Sequence, residues 1–136
     1  MELKIMINIV DSDRGKLTAI DLTNLPFVPK RIFIVDKVEV GGIRSDHAHH
    51  KDSQILYCLS GSLSISKIFK SPEGLLNQMC ILNPGDKCEI PPLTWSIIKF
   101  LDNNSSFICI CSESYDEQEY IRNYEEFLRI INDTNI

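Results

Sequence analysis

Residues 41–61 read GGIRSDHAHHKDSQILYCLSG and contain all three histidines of this 136-residue chain, His47, His49 and His50. Residues i and i+2 of a β-strand point to the same face. We therefore expect His47 and His49 to enter the interior together and His50 to point away. The segment His50-Lys51-Asp52 is predicted to be a solvated loop.

Short runs rich in Ile, Val, Phe and Leu recur on both sides of this stretch. The predicted strands are 31–36, 54–59, 63–69, 75–82, 87–90, 95–101 and 107–112. Turn sequences such as Ser60-Gly61-Ser62 and Asn83-Pro84-Gly85-Asp86 separate them. Short strands at intervals of ~8–12 residues predict an all-β sandwich or barrel, and the lack of alternating helices excludes a parallel α/β sheet.

One helix is predicted near the end of the chain, covering an opening or an edge of the sheet. Its apolar residues follow helical spacing: Tyr120, Ile121, Tyr124, Phe127, Leu128 and Ile131. Ser114 with Glu117 three residues later matches a capping box, which predicts a helix start at about Tyr115.

Composition narrows the class of protein. The length predicts one domain, residues 1–136, and 43% hydrophobic with 24% charged residues is typical of a globular protein. The net charge of −5 argues against a nucleic-acid partner. Apolar runs far below the ~20 residues of a membrane helix, and no secretory signal, predict a cytoplasmic protein without a membrane partner. The five cysteines form no C-x-x-C pair and are interpreted as buried hydrophobes.

The spacing around the histidines resembles the first signature of the cupin barrels. Five residues separate Gly41 from His47, four separate His49 from Gln54, and six separate Gln54 from Gly61. The one departure is Gln54, which stands where the signature has Glu.

A counterpart of the second cupin signature runs from Gly85 through Pro91 and Trp95 to Ser96, where metal cupins have their last histidine. A mononuclear metal site needs three or four protein donors. With Gln54 and Ser96 in place of two ligands, only two imidazoles remain, so we expect no bound metal. Imidazoles with an ordinary pKa of about 6.5 suit proton transfer near neutrality.

Nearly the whole chain resembles the WxcM-like cupins, specifically the nucleotide-linked 4-keto-6-deoxyhexose 3,4-ketoisomerases of amino-deoxysugar synthesis for bacterial surface glycans such as lipopolysaccharide. The matching stretches are 13–20, 26–27, 30–33, 44–49 with Gln54, 115–117 and 120–127. The resemblance implies a double-stranded β-helix (jelly roll), a homodimer with exchanged N-terminal strands, no metal or other cofactor, and a dTDP-4-keto-6-deoxyglucose-type substrate. Two residues depart from it: Ser45 replaces a usual Gly, and Ser96 replaces a usual His.

The family's two catalytic histidines correspond to His47 and His49. Moving a ketone from C4 to C3 requires removal of the C3 proton, an enediol(ate), and protonation at C4. We expect His49 to be the principal carbon acid/base and His47 to assist it. Arg44 and Gln54 are expected to steady the enediolate or the hexose.

Four further residues are candidates for substrate binding. Arg31 or Arg14 would meet the diphosphate. Trp95 could stack a ring at the barrel mouth, although core packing explains it equally well. Ser96 stands beside it at the position of the missing histidine.

Three other functions stay open from the sequence. A sugar-nucleotide 3,5-epimerase uses a similar barrel with a histidine base and a tyrosine acid. A non-catalytic nucleotide-sugar-binding cupin is favoured by Ser45 and Ser96. A metal-dependent dioxygenase is disfavoured by the ligand count.

Overall fold

The structure is a computed structural model that describes residues 7–133. Within that range the strands are β1 (Ile7–Ser12), β2 (Gly15–Ile20), β3 (Arg31–Val35), β4 (Ile43–His49), β5 (Gln54–Ser60), β6 (Leu63–Ser71), β7 (Gly74–Leu82), β8 (Lys87–Ile90), β9 (Trp95–Phe100), β10 (Ser106–Cys111) and β11 (Tyr120–Ile121), and the α-helix is α1 (Tyr124–Asp133). All seven strands predicted from turn-bounded apolar runs are confirmed, each within two residues at either end.

Two antiparallel sheets form the body of the protein. One has the strand order β3-β10-β5-β8 and the other β11-β4-β9-β6-β7. Sequentially distant strands lie side by side in both, as in a jelly roll, so the predicted all-β fold with a C-terminal helix is confirmed. The hairpin β1-β2 forms a third, separate sheet.

The core lies between the two sheets and follows the alternation of side chains along each strand. In β5, Leu56 and Cys58 belong to the cluster between the sheets. Ile55 and Tyr57 point the other way, yet they are also buried because Phe27 and other apolar residues of the N-terminal segment pack over them. Tyr57 is therefore a core residue.

The helix begins nine residues later than the capping box predicted. Its first residue is Tyr124, and Asn123 caps it by accepting a 2.9 Å hydrogen bond from the Glu126 backbone N–H. Ser114 caps nothing; the side chain of Asp116 instead caps a short 3-10 turn, Glu117–Glu119. The sequence prediction was wrong because the aromatic spacing continues through β11, which is extended.

Strand β11 pairs with β4, aligning Tyr120 with His49 and Ile121 with Ala48. Behind this pair, Phe127 and Ile131 of α1 are buried against Ala48, Ile121 and Trp95. The helix thus covers the face of the five-stranded sheet opposite His49, next to its β11 edge. No helix within residues 7–133 has the length and apolarity needed to cross a membrane.

Candidate active site

A cavity of about 530 Å³ opens between the two sheets. Its apolar wall is part of the inter-sheet core, including Phe33, Leu56 and Ile98. Its polar wall combines three arginines with acid/base and hydrogen-bonding groups: Arg31, Arg44, Arg122, His47, Gln54 and Tyr120. The volume falls in the usual range for small-molecule sites, and the arginines suit an anionic ligand.

Two imidazoles stand side by side at this wall. The ring centroids of His47 and His49 are 4.9 Å apart, with the ring planes at 87°. His47 lines the cavity, whereas His49 lies behind it and is only 4% exposed. The ring of Tyr120 packs against both, at 5.0 Å from His47 and 4.4 Å from His49. His50 is exposed, so the predicted orientation of the three histidines is confirmed.

A β-bulge between Ser45 and His47 turns β4 just before the histidines. Ser45 and Asp46 both have positive φ, 71° and 58°. This region is unfavourable for side-chain-bearing residues, and it is supported here by hydrogen bonds: Ser45 Oγ lies 2.5 Å from Ser96 Oγ, and Asp46 Oδ1 accepts a bond from Trp95 Nε1–H. The bulge is a feature that the sequence analysis did not predict.

Burial lowers the pKa of both histidines to about 4, since the imidazolium form is desolvated there. The positive charges of the neighbouring Arg31 and Arg122 lower the pKa of His49 further. Both rings are therefore neutral at pH 7. The expectation of an ordinary pKa near 6.5 was wrong because it treated these side chains as solvated.

Asp52 is the main site residue that the sequence analysis missed, since a solvated loop was expected. The side chain is 1% exposed. Its Oδ2 accepts hydrogen bonds from Gln54 Nε2 at 2.9 Å and from an Arg31 amino group at 3.4 Å, and it lies 4.0 Å from His49 Nδ1. Its Oδ1 accepts a bond from the Glu113 backbone N–H at 3.0 Å. The available signal was the spacing of Asp52 and Gln54, two residues apart, as for two side chains on one side of an extended segment.

Arg122 and Tyr120 were also missed, because both lie in the segment predicted to be a helix, with Tyr120 on its apolar face. Pairing of β11 with β4 instead carries them over the cavity. The Arg122 guanidinium lies over the Tyr120 ring, 4.4 Å from its centroid. Glu117 accepts two hydrogen bonds from it, at 2.7 and 3.0 Å.

Two predicted binding residues lie elsewhere. Trp95 is 4% exposed, and its ring lies 5.6 Å from that of Phe127, behind the sheet. Because Trp95 and Ser96 are adjacent in a strand, only Ser96 can point inward, and its hydroxyl bonds Ser45 on the cavity wall. Arg14 is exposed in the β1-β2 turn and does not line the cavity.

The cupin fold raises the question of a metal. Within residues 7–133, no three His, Cys, Asp or Glu side chains are grouped so that they could hold an ion. Gln54 also presents its amide nitrogen, not its oxygen, to His49 Nε2 at 3.4 Å. An amide N–H is a donor and not a metal ligand, so these residues do not fit a metal centre.

An antiparallel two-sheet barrel with two imidazoles and three arginines at the wall of an inter-sheet cavity is typical of a cupin. The family model described as "FdtA: WxcM-like, C-terminal" matches residues 1–132, and the chain belongs to this family. Over 129 residues it is 30% identical to the TDP-4-oxo-6-deoxy-alpha-D-glucose-3,4-oxoisomerase of Aneurinibacillus thermoaerophilus, with 94% of this chain and 90% of that protein covered.

Solved structures give the same result. A histidine-to-asparagine variant of the 3,4-ketoisomerase QdtA from Thermoanaerobacterium thermosaccharolyticum, in complex with TDP-4-keto-6-deoxyglucose, is 29% identical with a TM-score of 0.80, covering 97% of this chain and 94% of that one. A 3,4-ketoisomerase from Helicobacter canadensis is 31% identical with a TM-score of 0.78, covering 96% and 97%. These relatives are isomerases, which confirms the predicted enzyme class. An RmlC epimerase from Mycobacterium tuberculosis, 18% identical with a TM-score of 0.67 and covering 85% and 65%, shares the fold.

Proposed function

We propose that this protein is a sugar-nucleotide 3,4-ketoisomerase that converts a TDP-linked 4-keto-6-deoxyhexose to its 3-keto isomer, in the supply of amino-deoxysugars for surface glycans. The observation that carries the proposal is the His47–His49 pair at the wall of the arginine-lined cavity. Support also comes from relatives near 30% identity that are named for this reaction on TDP-sugars.

The chemistry needs a base, an acid and a place for negative charge. A neutral imidazole accepts the proton from C3, the C–H electron pair forms the C3=C4 bond, and the C4 carbonyl oxygen becomes the enediolate oxygen. The C3 hydroxyl passes its proton to the C4 oxygen, the C3 carbonyl closes, and the electron pair of the C3=C4 bond takes up a proton at C4, which completes the isomerisation. We propose His49 as the principal base and His47 as its assistant, with Arg44 and Gln54 at the enediolate or hexose.

The arginines and the quaternary structure complete the proposal. Arg31 and Arg122 line the same cavity as His47 and are available for the diphosphate. Arg14 lies on a hairpin that pairs with neither large sheet, and apolar side chains of that hairpin, such as Val10 and Leu17, are exposed. This supports a homodimer with exchanged N-terminal strands, in which Arg14 would reach a cavity that it does not reach within one chain.

The direct test is to incubate the purified protein with TDP-4-keto-6-deoxyglucose and to identify the product by NMR. A 3-keto hexose is expected. A ketone still at C4 with inverted C3 and C5 would indicate a 3,5-epimerase. This alternative needs testing because such an epimerase uses a histidine base with a tyrosine acid, and the Tyr120 ring packs against both histidines. Binding without turnover would indicate a non-catalytic sugar-nucleotide-binding protein.

A further inference from the structure

The inference concerns how Asp52 controls His49, and it rests on the proposed function. A neutral imidazole carries one proton, on either Nδ1 or Nε2, and only the bare nitrogen can act as a base. The groups around the ring decide which nitrogen carries that proton. The surroundings of His49 are therefore informative.

Asp52 determines the orientation of the Gln54 side-chain amide. Its Nε2 lies 2.9 Å from Asp52 Oδ2, a distance at which a carboxylate oxygen accepts a hydrogen bond. An amide oxygen at that position would face a second oxygen with no proton between them. Asp52 therefore fixes the amide with its nitrogen toward the carboxylate and toward His49.

The two nitrogens of His49 then meet different partners. Nε2 lies 3.4 Å from the Gln54 amide nitrogen, an N–H donor. Nδ1 lies 4.0 Å from the carboxylate oxygen Asp52 Oδ2, beyond hydrogen-bond distance, and has no hydrogen-bond partner among residues 7–133. A donor beside Nε2 and an acceptor beside Nδ1 both favour the same tautomer, with the proton on Nδ1.

We propose that Asp52 is a positioning residue that holds His49 in the Nδ1–H tautomer, directly and through Gln54, so that the lone pair of the ring stays on Nε2 and takes up the C3 proton in place of the long 3.4 Å contact with Gln54. Once Nε2 has taken that proton, Nδ1–H lies 4.0 Å from a carboxylate that stabilises the imidazolium until a proton, exchangeable with solvent, is delivered to C4. Asp52 itself touches no reacting atom. The same carboxylate accepts from Arg31, so one buried group organises the base and a cationic wall of the cavity.

The first measurement needs no variant: ¹⁵N NMR of histidine-labelled protein at pH 7, with His49 assigned from the spectrum of His49→Asn. A protonated Nδ1 and a bare Nε2 are expected at His49. The opposite tautomer would overturn the proposal, and this result stands even where an Asp52 variant does not fold.

The second measurement is turnover by Asp52→Asn, with Ser112→Ala as the matched control. The Ser112 hydroxyl donates a 3.4 Å hydrogen bond to Asp52 Oδ1. Among residues 7–133 it has no hydrogen bond to His47 or His49. For folded Asp52→Asn we expect kcat to fall about a hundredfold or more, KM to stay within about threefold, and the His49 tautomer to become mixed. Ser112→Ala should keep kcat within about threefold.

An unchanged kcat, or a lower kcat with an unchanged tautomer, would overturn the role of Asp52. Failure of the proposed function would look different. The wild-type protein would then make no 3-keto product, or His49→Asn would turn over as fast as wild type, whatever the behaviour of Asp52→Asn.

Discussion

His47 and His49 meet edge to face, their ring centroids 4.9 Å apart, and within residues 7–133 neither ring has a hydrogen-bond partner for its Nδ1. Two imidazoles this close repel each other when both are charged, and burial disfavours even one charge. The pair is therefore a neutral one at rest. Under the proposed function, this neutral pair can accept a proton from the substrate.

This neutrality predicts an unusual pH profile. The free-enzyme pKa of about 4 for both histidines means that the base stays unprotonated through the mildly acidic range. We expect kcat/KM to be flat from pH 8 to about 5 and to fall only as the pH approaches 4. Initial rates across that range, with folding monitored by circular dichroism, check this. An acidic limb centred near 6.5 would show that the imidazoles titrate as solvated groups.

The same pKa values predict a loss of stability on acidification. The unfolded chain binds a proton at each histidine near pH 6.5, whereas the folded chain binds it only near pH 4. Between these values the unfolded state holds more protons, so the free energy of unfolding falls as pH falls, by up to about 1.4 kcal/mol per pH unit for each histidine. Urea unfolding at pH 7, 6 and 5 should show a shallower dependence in the double variant His47→Asn/His49→Asn. Equal slopes in the two proteins would be inconsistent with buried neutral rings.

The helix start gives a prediction about stability. Asn123→Ala removes the side chain that caps α1, so we expect a loss of about 1 kcal/mol in the free energy of unfolding. Ser114→Ala is the matched control, since Ser114 occupies the cap predicted from the sequence, and it should change stability by less than about 0.5 kcal/mol. A larger loss of stability in Ser114→Ala than in Asn123→Ala would indicate that the helix begins near Tyr115.

A substitution of Trp95 distinguishes a role in core packing from a role in substrate binding. Trp95→Phe loses the Nε1–H bond to Asp46 and part of the contact with Phe127, which should lower stability by about 1–2 kcal/mol. Because the ring lies behind the sheet, KM for the sugar nucleotide should stay within about twofold of wild type. A tenfold rise in KM in the folded variant would indicate that Trp95 contacts the sugar nucleotide in the cavity.

The sequence predicted the fold well because turn residues and alternating strands report local structure, and Gly41, His47 and Gln54 keep a spacing tied to the barrel. It predicted the pairing of the histidines from strand geometry alone. It failed from Ser114 to Arg122, where aromatic spacing suited a helix equally well and only pairing of β11 with β4 decides for an extended strand. Pairing between distant strands is not encoded in local periodicity.

The burial of Asp52 and the low pKa of the two histidines could not be predicted from local sequence patterns for a related reason. Asp52 follows two polar, exposed residues, and its burial depends on Arg31 and Glu113 from two distant parts of the chain in addition to the nearby Gln54. Desolvation of His49 likewise depends on Tyr120 covering it. Both are consequences of tertiary packing.

The most direct test of the account is solvent-isotope incorporation with TDP-4-keto-6-deoxyglucose in deuterated buffer, followed by NMR. Wild-type protein should introduce deuterium at C4 of the 3-keto product and, through the reverse reaction, at C3 of the 4-keto sugar, and the double variant His47→Asn/His49→Asn should introduce none above the rate without enzyme. Full exchange at both carbons by the folded double variant would contradict the claim that these two imidazoles move the proton.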